Sequence, residues 1–171
     1  MSITKVEEYV NRFAISQNKY DVVDLRSYID TYEKYYLIDL LGKELYDLFI
    51  ADLDPITGLP VTPRFIDIYN EIYLDENRCN EVSISRGIPE LLKDFVYFEY
   101  TREQQIKNTI TGNVKSNNEN SVKANNSSSR MMKLYNKGVD SFNVIAEYIV
   151  DNSATYPEYK GIIKEYIGYF Y

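Results

Sequence analysis

The chain contains no histidine, no tryptophan and a single cysteine, Cys79. Without histidine there is no imidazole triad, no imidazole acid or base, and no histidine metal ligand. One cysteine excludes an intramolecular disulfide and a thiolate zinc site, and fits a reducing compartment. Cys79 stands in a polar stretch between Arg78 and Asn80, with no imidazole to activate it, and reads as structural or incidental. Neither GxxxxGK[ST] nor GxGxxG occurs, so phosphate cradles are unsupported. No apolar run approaches the roughly 20 residues that cross a bilayer. The opening residues lack a basic-then-apolar pattern, so a secretory leader is not expected, and the sequons at Asn125 and Asn126 carry little weight.

Other chemistry fails on spacing. Asp52-Leu53-Asp54-Pro55-Ile56-Thr57-Gly58 opens like a calcium loop, but the position of the bidentate glutamate falls on Pro63, so a proline turn is expected. Asp30, Glu33, Asp39, Glu44 and Asp47 lie mostly off the apolar stripe of their helix and read as a solvated face. No catalytic, cofactor-binding or metal-ligating residues are assigned, and no enzyme is expected.

What is present is a 171-residue chain, 44% hydrophobic, with 26 acidic and 19 basic residues and a net charge of -7. That length suits one domain, 1–171, which buries roughly 70% of its unfolded surface without staples. The acidic balance argues against a dedicated nucleic-acid binder. Tyrosine occurs eighteen times. Its apolar body and polar tip suit half-buried core positions and protein interfaces alike.

Apolar spacing predicts an all-α fold, a bundle of about four main helices with a long projecting polar loop. Val6, Tyr9, Val10 and Phe13 suggest a short helix over 2–13. Asp24 is a candidate cap for a long helix carrying Leu25, Tyr28, Ile29, Tyr32, Tyr36, Leu37, Leu40 and Leu41, interrupted at Gly42 and resumed by Leu45, Leu48 and Phe49. Thr62 and Pro63 open a helix through about Leu74. Glu81 to Ser85 alternates weakly, as a short strand would. A helix near Pro89 carries Leu91, Leu92, Phe95, Val96 and Phe98. Met131, Met132, Tyr135, Val139, Phe142, Ala146 and Ile149 form the cleanest stripe, and Pro157 is expected to open a final helix with Ile162, Ile163, Tyr166, Ile167 and Phe170 on one side.

Between the last core helices runs TGNVKSNNENSVKANNSSSR, Thr111 to Arg130, with six Asn and five Ser among twenty residues. Its net charge is +2, against -9 for the rest of the chain. Structureless loops of this length are uncommon in compact domains. It reads either as a disordered insertion or as an arm, 111–129, that orders against a partner. The tail YPEYKGIIKEYIGYFY, 156–171, ends on three aromatics that need burial in the same subunit or in a neighbour.

Ile3-Thr4, Tyr28-Ile29, Glu33, Leu37, Leu40-Leu41-Gly42-Lys43-Glu44-Leu45-Tyr46, Gly87-Ile88-Pro89-Glu90-Leu91-Leu92, Phe95 through Arg102, Thr111-Gly112-Asn113-Val114 with Glu119-Asn120-Ser121, and Tyr156-Pro157-Glu158-Tyr159 together carry a likeness. In them the chain resembles the small head–tail connector (adaptor, head-completion) proteins of tailed phages, closest to neck ring proteins of Bacteroides-infecting crAss-like phages. The resemblance implies a helical adaptor that assembles as a twelve-fold ring beneath the portal, extends the DNA channel and joins capsid to tail. It implies a homo-oligomer, contacts with the portal protein and with further neck or tail proteins, and DNA that passes without specific binding. It places the protein in the virion neck, and in the host cytoplasm during assembly, with no membrane partner. The expected contact residues are Asn113, Val114, Lys115, Asn118, Asn120, Val122 and Lys123 in the arm, and Tyr159, Tyr166, Tyr169, Phe170 and Tyr171 in the tail. The alternatives are a soluble helical protein-interaction module or regulator of a phage or host, and an enzyme of unfamiliar type.

Overall fold

The structure, a computed structural model, describes residues 2–13, 15, 19–76, 81–104, 106–109, 112–115 and 125–167. Among these the order is α1 (Lys19–Leu41), α2 (Lys43–Asp52), α3 (Pro63–Tyr69), β1 (Ile72–Glu76), β2 (Glu81–Ser85), α4 (Ile88–Gln104), β3 (Ile106–Thr109), β4 (Gly112–Lys115) and α5 (Asn125–Asp151). The fold is a helical bundle. α4 lies against both α1 and α5. β1–β2 and β3–β4 are separate antiparallel hairpins, with Tyr73 opposite Ile84 in the first and Lys107 opposite Val114 in the second.

The main core joins Leu37, Leu40, Leu41, Leu45, Phe49, Phe65, Leu91, Leu92, Phe95, Phe142, Ile145 and Ile149. Burying large side chains of this kind contributes about 1.5–3 kcal/mol each. A smaller cluster holds the N-terminal segment down through Val6, Tyr9 and Phe13 against Leu25, Ile29 and Val96. Gly42 is where the long helical signal breaks. Its φ of +76° is open to glycine at little cost, and its N–H closes α1 on the Ile38 carbonyl at 2.8 Å.

Several expectations are corrected. Residues 2–13 form two 3-10 turns, Val6–Glu8 and Asn11–Phe13, because Ile3 and Thr4 spend their N–H groups on the Glu33 carboxylate. Asp24 is no cap, since α1 already begins at Lys19. The helix from Pro63 stops at Tyr69, and Ile72–Glu76 pairs instead with the expected strand at Glu81–Ser85. The polar tract is not one loop: Gly112–Lys115 is a strand, and α5 starts at Asn125. Among the described residues, no helix follows Pro157. Residues 156–167 run as an irregular strap, because the bundle captures their backbone groups one by one. Glu33 is not on a solvated face; it is only 4% exposed. Cys79 lies outside the described residues.

Candidate functional site

The strap is the most elaborately held element outside the core. It begins at buried Tyr156, whose hydroxyl donates to the Arg64 carbonyl at 2.5 Å. Arg64 Nη1 in turn donates to the Thr155 carbonyl at 3.2 Å and pairs with Glu158 at 3.3 Å. The strap then crosses the end of α1. The last carbonyls of a helix lack internal partners. Here the Ile162 N–H donates to the Asp39 carbonyl at 3.0 Å, and the Lys160 N–H to the Leu41 carbonyl at 3.4 Å. Gly161 passes so close that a Cβ there would lie 2.0 Å from the Leu40 carbonyl oxygen.

Beyond this crossing, two asparagines of α5 take over. Lys164 donates its N–H to Asn143 Oδ1 at 3.0 Å and accepts Asn143 Nδ2 on its carbonyl at 3.0 Å. Ile167 repeats the arrangement on Asn136, at 3.1 and 3.2 Å. Seven residues of helix rise about 10.5 Å. Three residues of chain cover that distance only when nearly extended, at about 3.3–3.6 Å each. The asparagine spacing therefore sets the strap extended and antiparallel to α5. Each asparagine offers one donor and one acceptor to a peptide unit and reads no side chain.

Side chains supply the rest. Lys164 is folded inward, 11% exposed, with Nζ 2.7 Å from Asp39 Oδ2. The ammonium lies 4.5 Å from the Tyr36 ring centre, 5.2 Å from Phe142 and 5.7 Å from Phe95. Ring faces attract a cation most where water is excluded, so this is a cation–π cage closed by a carboxylate. Lys160 pairs with Glu44 at 2.9 Å, and the Tyr166 hydroxyl donates to Asp140 at 2.9 Å. That hydrogen bond to Asp140, with some burial, holds the Tyr166 phenol above its ordinary pKa.

A tyrosine seam joins α1 to α4. Tyr28 and Tyr32 stack at 5.8 Å and both donate to Glu103, at 2.6 and 2.7 Å. Their hydroxyls hold the Glu103 carboxyl below its usual range, and the same bond, with burial, raises Tyr32 to about 12. Tyr36 donates to Glu99 at 2.7 Å and stacks on Phe95 at 4.1 Å. An ionic cluster runs along α4 from partly exposed Glu90 to buried Asp94. Arg86 contacts Asp94, and Arg12 and Lys93 contact Glu90. These arrangements fix elements to one another. No group of three or more His, Cys, Asp or Glu among the described residues could hold a metal ion.

The loop between α2 and α3 is held by its own polar groups. Asp54 Oδ1 accepts from the Ile56 and Thr57 N–H groups at 2.9 and 2.7 Å, and Asp52 Oδ2 from Val61 and Thr62 at 2.8 and 2.9 Å. These N–H donors lower both carboxyl pKa values. The expected proline turn is therefore present, with its carboxylates turned to backbone, and it presents Ile56 91% exposed.

Of the expected contact residues, Tyr159 packs half-buried on the core and Tyr166 lies on the strap. Asn113, Val114 and Lys115 fall together on β4. Asn118, Asn120, Val122, Lys123, Tyr169, Phe170 and Tyr171 lie outside the described residues. Sequence reading placed Asp39 on a solvated face, whereas it is largely covered and holds Lys164, and it missed Asn136 and Asn143. The asparagine pair, seven apart on one helix, was the only available signal.

No helix among the described residues is long and apolar enough to cross a membrane. No curated protein and no solved structure matches the chain. The profile of a family of unknown function, DUF6712, matches residues 37–164, which run from the end of α1 through the strap to Lys164. That span covers well over half of the chain, and the chain belongs to this family.

Proposed function

We propose that the chain is a structural protein of tailed-phage particles, a head–tail connector subunit. It assembles into a ring beneath the portal, extends the DNA channel and joins capsid to tail. The observation that carries this reading is the division of labour in the molecule. A tightly packed helical core bears two peripheral elements, the β3–β4 hairpin and the strap, and the strap is secured through its backbone and a few charged tips. Such an architecture serves assembly. The resemblance along the chain to adaptor proteins supports the same reading. The core acts as a rigid wedge, the segment from β3 to α5 reaches the portal or a neighbour, and heterologous contacts close the ring.

A soluble interaction module is the second reading. It is favoured by the strap filling its own groove, which leaves a complete monomer. Quantitative mass spectrometry of purified particles separates the two. A copy number equal to the portal's is expected. Absence from particles would end the connector reading.

A further inference from the structure

We propose that the trough between β2 and the strap, floored by α5, is a docking site for an extended basic segment of another protein, which adds to the edge of β2 as a third strand. This goes beyond the connector reading and does not depend on it.

The trough encloses about 410 Å³. Its floor is the outward row of α5 at Asp140, Val144 and Glu147. One wall is β2 at Ser83 and Ile84, and the other is Tyr166 of the strap. Successive residues of a strand point to opposite faces of its sheet. Ser85 is buried on the inner face and Ile84 is exposed on the outer one, so Ser83 shares the inner side with Ser85. A wall that includes both Ser83 and Ile84 is therefore the edge of the strand and not one of its faces. It is the edge away from β1, since β1 pairs along the other side. An edge strand presents a row of N–H and C=O groups, and an extended chain laid about 4.8 Å away is what meets donors and acceptors together.

Charge sets the kind of chain. Asp140 and Glu147 stand seven residues apart on one helix, about 10.5 Å along its axis. No lysine or arginine lines the trough. Among the described residues neither carboxylate pairs with a cation; Asp140 accepts only the neutral Tyr166 hydroxyl, at 2.9 Å. The strap's own Lys164 is spent on Asp39. A segment with lysine or arginine on its side facing α5 gains two ion pairs, and the stems of those side chains cover Val144 and the Tyr166 ring. An acidic segment meets two like charges instead. The far wall is fixed before anything docks, because Asn143 already clamps the strap backbone through both amide atoms, at 3.0 Å each. A preformed wall lowers the ordering cost of binding.

Two synthetic peptides test this on the full chain: Lys-Thr-Val-Thr-Lys-Val-Lys, and its counterpart with glutamate at each lysine. Each is titrated at low salt into nitrogen-15-labelled protein. The basic peptide is expected to shift the amide signals of β2 and of residues 140–147, and the acidic one to leave them in place. Asp140→Asn combined with Glu147→Gln changes two exposed side chains and keeps the acceptor for Tyr166. That double variant should bind the basic peptide about 3–10-fold more weakly, as two solvated ion pairs require. The basic peptide N-methylated throughout keeps its charge but cannot donate to the strand edge, and its shifts at β2 should vanish. Equal binding by the methylated peptide, shifts spread over the acidic surface without favouring the trough, or no shift at all would overturn the proposal. The same shifts appearing when the protein alone is concentrated would make a second copy the occupant, and would overturn the assignment to another protein.

Discussion

Asp94 is wholly buried beside Arg86, and burial weighs more than its cationic neighbours: its pKa rises to about 6. The folded chain therefore holds this proton more tightly than the unfolded chain does. The resulting stability is complete below the ordinary carboxyl pKa of about 3.9 and is lost as pH climbs through about 6. The loss is on the order of 2–3 kcal/mol, at about 1.4 kcal/mol for each pKa unit. Glu33, raised mainly by burial, acts in the same direction. Urea midpoints should fall between about pH 4.5 and 7 in the wild type, and fall less in Asp94→Asn. An unchanged slope in that variant would contradict the assignment. Lys164 makes a second residue-scale case. Lys164→Met keeps the stem among the rings but strips Asp39 of its partner. A stability loss of about 1–3 kcal/mol in urea is expected. None of this was legible in sequence, where Asp94 and Lys164 look like any other charges. Their character comes from what surrounds them.

At the scale of elements, legibility followed the strength of the apolar repeat. α4 and α5 were legible because Leu91, Leu92, Phe95 and Val96, and Val139, Phe142, Ala146 and Ile149, recur at helical spacing and are buried. The break at Gly42 was legible for its conformational cost. β1 was not. Ile72 and Tyr73 continue a helical spacing from Ile66 and Tyr69, yet they alternate on a strand, with Tyr73 outward at 62% exposure. The strap misled for a similar reason: Ile163 and Ile167 are four apart after a proline, but long-range capture by Asn143 and Asn136 overrides local preference. Gly161→Ala tests that capture. The added methyl should displace the strap and cost about 1–3 kcal/mol, as other overpacking does. Hydrogen exchange at the Ile162, Lys164 and Ile167 amides should quicken while the helical circular dichroism holds. Protection equal to wild type at those three amides would mean the strap tolerates the methyl.

For the whole molecule, helical class was legible and the two hairpins only in part. The polar tract hid its strand and the start of α5 because Asn and Ser carry almost no apolar signal. Deleting residues 116–124, a polar stretch with Val122 as its one large apolar residue, should shift stability by less than about 1 kcal/mol, since it removes little surface able to join a core. On the proposed connector reading, the same deletion abolishes docking onto the portal, measured by co-sedimentation with portal rings. Normal docking would remove the segment from the assembly mechanism. The tyrosine seam has one more consequence. With no tryptophan in the chain, its ultraviolet emission is dominated by tyrosine. Tyr28, Tyr32 and Tyr36 are tied to carboxylates, which quench excited phenols by accepting their protons. The folded protein is thus dim where α1 meets α4, and parting those helices restores its light, so the molecule reports its own opening without a label.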